Sequence, residues 1–243
     1  MGYLLLEGGA EFNGCMIDAD SRALVLAGGE DAAVDIIPAA AAPDNNHQRA
    51  CQNGVEWFRR IGARNVVCRL LVDRYSAKNQ ELAEQLRSSR LVFLLGGFPS
   101  HLAQSLRGTH SWWSICSVYH GGGVIGGSSA GAMVLCEKFY DPFSQKVMAG
   151  LNLMPGICLI PHHNSTGFSW VKRLCHLLPD ACMLGIDEET GIINDAPDGG
   201  WTVYGSGTVV LYHQGNVQSY AAGAIISSDE LPSPQIDLLY NKW

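Results

Sequence analysis

Charge is scarce in this 243-residue chain. Asp, Glu, Lys and Arg make up 16% of it, and the 16 basic residues are outnumbered by 23 acidic ones. A net charge of −7 leaves no basic face to neutralise phosphates, so no nucleic-acid partner is expected. Long apolar runs are also missing. The longest candidate, Val147 to Pro161, is broken by Asn152 and Pro155 and falls short of the ~18 residues a membrane span requires. At the start, Leu4-Leu5-Leu6 has no basic segment before it and ends at Glu7, so no signal peptide is expected. Gly2 lacks the Ser or Thr that a myristoylation site places at position 6, which is Leu6. No membrane partner is therefore expected.

Several chemistries lack their motifs. The eight cysteines (Cys15, Cys51, Cys68, Cys116, Cys136, Cys158, Cys175, Cys182) form no C-x-x-C pair, and most sit in apolar surroundings. They read as buried free thiols of a reducing, cytoplasmic protein. No H-E-x-x-H or comparable spacing suggests a metal, and no Gly-rich phosphate loop with a following Lys is present. Neither metal nor cofactor is expected.

Apolar residues and glycine are what the chain does have. Residues of the apolar class make up 47% of it, enough for a substantial core, and its 28 glycines exceed the ~7% of average usage. One domain over 1–243 is expected, with no linker, repeat or low-complexity tract. Ala23–Ala27, Val34–Pro38, Asn65–Val72 and Leu91–Leu95 read as short buried strands. Between them, Asp44–Ile61 reads as a helix capped by Asp44 or Asn45, and Ser76 reads as the cap of a helix running through Leu82 and Leu86. Another helix follows Pro99. This alternation predicts an α/β fold with a mostly parallel sheet sandwiched by helices. Trp201–Tyr204, Thr208–Tyr212 and Val217–Ala221 predict antiparallel hairpins near the C-terminus.

The strongest local pattern is Val124-Ile125-Gly126-Gly127-Ser128-Ser129-Ala130-Gly131-Ala132, an apolar strand entering small residues before a helix. Gly127 to Gly131 fits G-x-S-x-G, the strand-to-helix turn that projects a serine hydroxyl from the sheet's carboxyl edge. Ser129 is the candidate nucleophile, and the Ala130 N–H a candidate oxyanion donor. A Gly/Ser-rich turn without chemistry is the alternative. A second turn, Gly96-Gly97, closes the Leu91–Leu95 strand and offers another oxyanion donor. For the base, His162 and His163 end one apolar run and His213 ends another. Candidate acids are Asp187-Glu188-Glu189, with Asp141 and Glu137 as rivals. Pattern alone leaves these choices open.

Taken together, four segments resemble the cyanophycinase and aspartyl dipeptidase (peptidase E-like) family of serine peptidases. They are Gly127-Ser128-Ser129-Ala130-Gly131-Ala132, Leu95-Gly96-Gly97, Gly150-Leu151-Asn152-Leu153-Met154-Pro155-Gly156 with Pro161-His162, and Gly185-Ile186-Asp187-Glu188-Glu189-Thr190. The likeness reads from Leu24-Val25-Leu26-Ala27-Gly28-Gly29 to the terminal hairpins. It implies a class I glutamine amidotransferase-like fold, often in a homodimer, that hydrolyses small peptides or aspartyl isopeptide linkages without metal or cofactor. Carried onto this chain, it implies Ser129 as nucleophile, His162 as base, Glu188 as the third member, and Gly97 and Ala130 as the oxyanion hole. Two places depart from the family's pattern. Phe98 stands where an acidic or polar residue usually follows Gly-Gly, and Asn164-Ser165-Thr166-Gly167-Phe168 replaces an Arg-containing segment. Two other functions compete: an α/β-hydrolase esterase using Ser129 and His213, and a catalytically silent binding protein on the same scaffold.

Overall fold

The computed structural model describes residues 1–236. Strands are β1 (Tyr3–Glu7), β2 (Ala33–Ile37), β3 (Asn65–Cys68), β4 (Leu91–Leu94), β5 (Val124–Ser128), β6 (Cys136–Asp141), β7 (Lys146–Ala149), β8 (Met154–Ile160), β9 (Cys182–Ile186), β10 (Thr190–Ile193), β11 (Trp201–Gly205), β12 (Thr208–His213), β13 (Asn216–Ala221) and β14 (Ile225–Ile226). Helices are α1 (Met16–Ala27), α2 (His47–Arg60), α3 (Arg74–Ala77), α4 (Gln80–Arg87), α5 (Pro99–Leu106), α6 (His110–His120), α7 (Ala130–Leu135) and α8 (Val171–Leu177).

Two sheets form. The larger has the order β14-β11-β10-β1-β5-β4-β2-β3, parallel from β1 to β3 and antiparallel from β10 outward. The smaller has the order β13-β12-β9-β8-β6-β7, with β6, β8 and β9 parallel and hairpins at both edges. The expected α/β class and terminal hairpins are present. The strand period of two explains the layering. Leu4 and Leu6 face a core shared with α5, α6, α7 and the smaller sheet, while Leu5 faces α1 and α2 on the other side. A third cluster, with Cys158, Ile160 and Met183, packs beneath α8.

Three local expectations are corrected. Ala23–Ala27 is the last part of α1, not a strand. Met16, Ala19, Asp20, Ala23, Leu24 and Ala27 are buried at helical spacing, and Gly28 in the left-handed region ends the helix. The polar helix after β3 is two helices, and Ser76 is not the cap. Asp73 caps α3 in a reciprocal capping box with Ser76, and the Asn79 side chain caps α4. The cysteines are not all free: Cys51 of α2 and Cys68 of β3 are disulfide-bonded. The other six are thiols, with Cys116, Cys136, Cys158 and Cys182 buried and Cys15 and Cys175 half-buried. Burial pushes the Cys116 and Cys158 thiols up to about 12, which keeps them unreactive. Among the described residues, no helix is long and apolar enough to cross a membrane.

Candidate active site

The site begins where β5 enters α7. Ser129 occupies this junction with φ +49° and ψ −113°, a conformation a non-glycine residue adopts only under constraint. Backbone bonds hold it: its N–H donates to the Glu7 carbonyl at 3.1 Å, and its carbonyl accepts from Met133 N–H at 2.9 Å. The glycines of the pattern are steric requirements. A Cβ on Gly131 would lie 2.1 Å from the Leu94 carbonyl oxygen, and one on Gly127 would lie 2.6 Å from the Gly131 carbonyl carbon. Only glycine lets the helix start this close to β4 and β5.

His162 follows β8 and Pro161. Its N–H donates to the Gly8 carbonyl at 2.7 Å, tying the β8 end to the loop after β1. Gly9 lies under the ring, where a Cβ would come within 2.3 Å of Cε1. Ser129 Oγ is 2.9 Å from His162 Nε2, and His162 Nδ1 is 2.8 Å from Glu188 Oε1. Glu188 lies in the β9–β10 turn. Its backbone N–H donates to Asn164 Oδ1, and Ser165 Oγ–H reaches its carboxylate at 3.5 Å.

The rival residues have other partners. His163 is buried, with Nδ1 3.1 Å from Asp187 Oδ1 and Nε2 2.9 Å from the Tyr212 hydroxyl. Asp141 accepts from Phe143 N–H, Ser144 N–H and Ser144 Oγ–H. Glu137 accepts from Gly156 N–H, which holds its carboxyl below the usual range. The Glu189 carboxylate lies against Gly14. Exposed His213 pairs with Asn216 in the β12–β13 hairpin, and no hydrogen bond joins it to Ser129 among the described residues.

Gly97 follows Gly96, where a Cβ would lie 3.3 Å from Ser129 Cβ; Gly97 itself has φ +135°, and a Cβ there would strike the Ala40 carbonyl oxygen at 2.4 Å. Among the described residues, neither the Gly97 nor the Ala130 N–H is taken by a protein acceptor. Also among the described residues, no group of three His, Cys, Asp or Glu side chains is arranged to hold a metal.

Sequence reasoning misses the floor of the site. Gly8-Gly9 after the apolar Leu4–Leu6 run is a readable signal of a strand end. Glu7 and Glu11 carry no motif at all. Glu11 accepts from Ser128 Oγ–H at 3.0 Å and borders a cavity of about 460 Å³ that also includes Arg49, Asn53, Glu56 and Arg60. Glu7 is fully buried, and its carboxyl oxygens have no hydrogen-bond partner among the described residues. Burial pushes its pKa well above the usual carboxylate range, and the neighbouring Asp20 charge adds to the rise.

A serine, a histidine and a glutamate in hydrogen-bonded series on an α/β scaffold define the serine-hydrolase class of architecture. Within it, the chain belongs to Peptidase family S51, whose model matches residues 4–196. The match starts at β1, upstream of Leu24 where the likeness was expected to begin, and stops before β11. Cyanophycinases of Synechococcus elongatus and Thermosynechococcus vestitus are each 29% identical over 215 residues, covering 84% of this chain. This chain spans 65% of the length of each of those relatives. The cyanophycinase of Geminocystis herdmanii is 27% identical over 241 residues, covering 94% of this chain and 86% of its own. Among solved structures, a peptidase from an acI-B1 actinobacterium superposes with a TM-score of 0.83 at 26% identity, covering 93% of this chain and 97% of that one. A putative peptidase E from Listeria monocytogenes EGD-e, at 17% identity and a TM-score of 0.59, shares the fold; the alignment covers 92% of this chain and 100% of that one.

Proposed function

We propose that this protein is a serine peptidase that hydrolyses small peptides or aspartyl isopeptide linkages through an acyl-enzyme on Ser129. The observation that carries this reading is the unbroken series from Ser129 Oγ through His162 to Glu188, with contacts of 2.9 and 2.8 Å. His162 Nε2 takes the hydroxyl proton as Oγ attacks the scissile carbonyl carbon. The Gly97 and Ala130 N–H groups donate to the oxyanion that develops. Glu188 orients the ring and stabilises the imidazolium. Collapse of the tetrahedral intermediate breaks the C–N bond, and His162 gives its proton to the leaving amine. Water, deprotonated by the same nitrogen, then cleaves the ester and restores Ser129.

The substrate expected is a peptide, as the family and its cyanophycinase relatives suggest. A homodimer is part of the proposal through family resemblance, and light scattering tests it. A cytoplasmic location draws support from the six free thiols, while the Cys51–Cys68 bond weighs against it.

The deciding experiment is labelling with a small fluorophosphonate, with the modified peptide mapped, alongside Ser129→Ala. Label on Ser129, and a loss of hydrolysis on the order of 10³- to 10⁶-fold in a folded Ser129→Ala protein, is the expected result. Retained activity in that variant, or label on another serine, would sink the assignment. A protein that binds peptides but neither labels nor hydrolyses is the silent scaffold instead.

A further inference from the structure

We infer that Phe98 and Phe143 form an apolar specificity wall, selecting a substrate whose side chain on one flank of the scissile amide is aromatic or aliphatic. The inference rests on the serine-peptidase reading above and names the substrate class of the same site.

The wall starts at the oxyanion turn. Phe98 follows Gly97 directly, and the Gly96 position beside it lies against Ser129: a Cβ on Gly96 would be 3.3 Å from Ser129 Cβ. Phe98 is fixed in an extended conformation, with its N–H on the Ala40 carbonyl at 2.8 Å and Pro99 after it excluding the helical region. Its ring stacks on Phe143, with centroids 4.3 Å apart and planes within 16°. Phe143 is nevertheless 63% exposed, so the pair presents a broad apolar face rather than closing a core.

The turn that carries Phe143 is built, not loose. The buried Asp141 carboxylate accepts from Phe143 N–H at 3.2 Å, Ser144 N–H at 3.3 Å and Ser144 Oγ–H at 2.6 Å. From α8, Arg173 donates to the Gln145 carbonyl and the Tyr140 hydroxyl, both at 3.1 Å. A rigid exposed aromatic pair, bonded in place next to the Gly96-Gly97 turn, is preorganised to desolvate an apolar group and penalises a charged one that would lose its water there. Beyond the histidines, Phe168 packs edge-on to His163 and is itself 62% exposed, extending the apolar character to that side.

The test uses two series of short peptides. One varies the residue that donates the acyl group and the other the residue released with the amine, each among Phe, Leu, Ala, Asp and Arg. In one series, kcat/KM should favour Phe and Leu over Asp and Arg by about tenfold or more. Phe143→Ser should shrink that preference several-fold, mainly through KM, and Phe143→Leu should restore it. Preference for Asp or Arg in both series, or an unchanged ratio in Phe143→Ser, overturns the wall while fluorophosphonate labelling of Ser129 leaves the peptidase reading standing. Absence of both labelling and hydrolysis in the unaltered protein overturns the reading and the wall together.

Discussion

His162 and His163 follow one another after β8, and each meets its own carboxylate: Glu188 for the first, Asp187 for the second. Their surroundings separate them. The His162 side chain is 29% exposed and touches Ser129, whereas that of His163 is 8% exposed and spans Asp187 and Tyr212. His163→Phe should therefore act on stability. It leaves the buried Asp187 carboxylate and the half-buried Tyr212 hydroxyl short of a partner, at about 1–3 kcal/mol, while kcat/KM stays within about tenfold of the parent. His162→Phe should cost ~10³-fold or more in kcat/KM with little change in a urea midpoint. Urea titrations and peptide hydrolysis on both variants check this. A His163→Phe protein that folds well but loses as much activity as His162→Phe would mean that the buried pair takes part in the chemistry.

At the scale of elements, the β5–α7 junction depends on two glycines whose need lies in contacts, not in their own dihedrals. Gly131→Ala would push a methyl into the Leu94 carbonyl of β4, which cannot withdraw without breaking the sheet. Its cost should match or exceed the ~1–3 kcal/mol of ordinary overpacking. Gly121→Ala, where a Cβ meets nothing closer than 3.4 Å, should stay within about 0.5 kcal/mol. Chemical denaturation of the two variants decides, and equal stabilities would refute the steric account. Such junctions are legible in sequence because their residue pattern falls within five residues, even where a distant strand such as β4 supplies the contact. The Leu91–Leu95 run with Gly96-Gly97 is legible for the same reason. Other elements are not. Ala23–Ala27 is a short apolar run that fits strand or helix until Met16, Ala19 and Asp20 are seen to share its buried face. The Cys51–Cys68 pairing depends on α2 packing on β3, which spacing does not report. Gly8 and Gly9 are needed because Asp187 and His162, more than 150 residues on, press against them.

Across the whole molecule, the least expected feature is a pair of acids inside the layer between the larger sheet and helices α1 and α2. Glu7 on β1 and Asp20 on α1 are both fully buried, and Trp57 of α2 donates its indole N–H to Asp20 at 2.8 Å. Burial pushes Asp20 up to about 7, the Trp57 hydrogen bond opposing the rise and the Glu11 charge adding to it. Glu7 is raised well above its ordinary value, by burial first and the Asp20 charge second. In the unfolded chain both acids lose their protons near pH 4, whereas the native state keeps protons to higher pH. The native state thus binds more protons across the interval from about pH 4 to 7 and beyond, so stability falls as pH rises through it. This is the reverse of ordinary acid denaturation, in which paired carboxylates lose stability as pH falls. The consequence reaches the site, because the Glu7 carbonyl holds the Ser129 N–H. Urea midpoints measured from pH 4.5 to 8.5 should decline for the parent protein. The decline should flatten in a Glu7→Gln, Asp20→Asn double variant, whose neutral amides keep the shape but have nothing to titrate. Every other titratable group is common to both proteins, so the difference between the two curves isolates the acid pair. A difference that grows in favour of the parent as pH rises would show that the acids are ionised and satisfied in the native state.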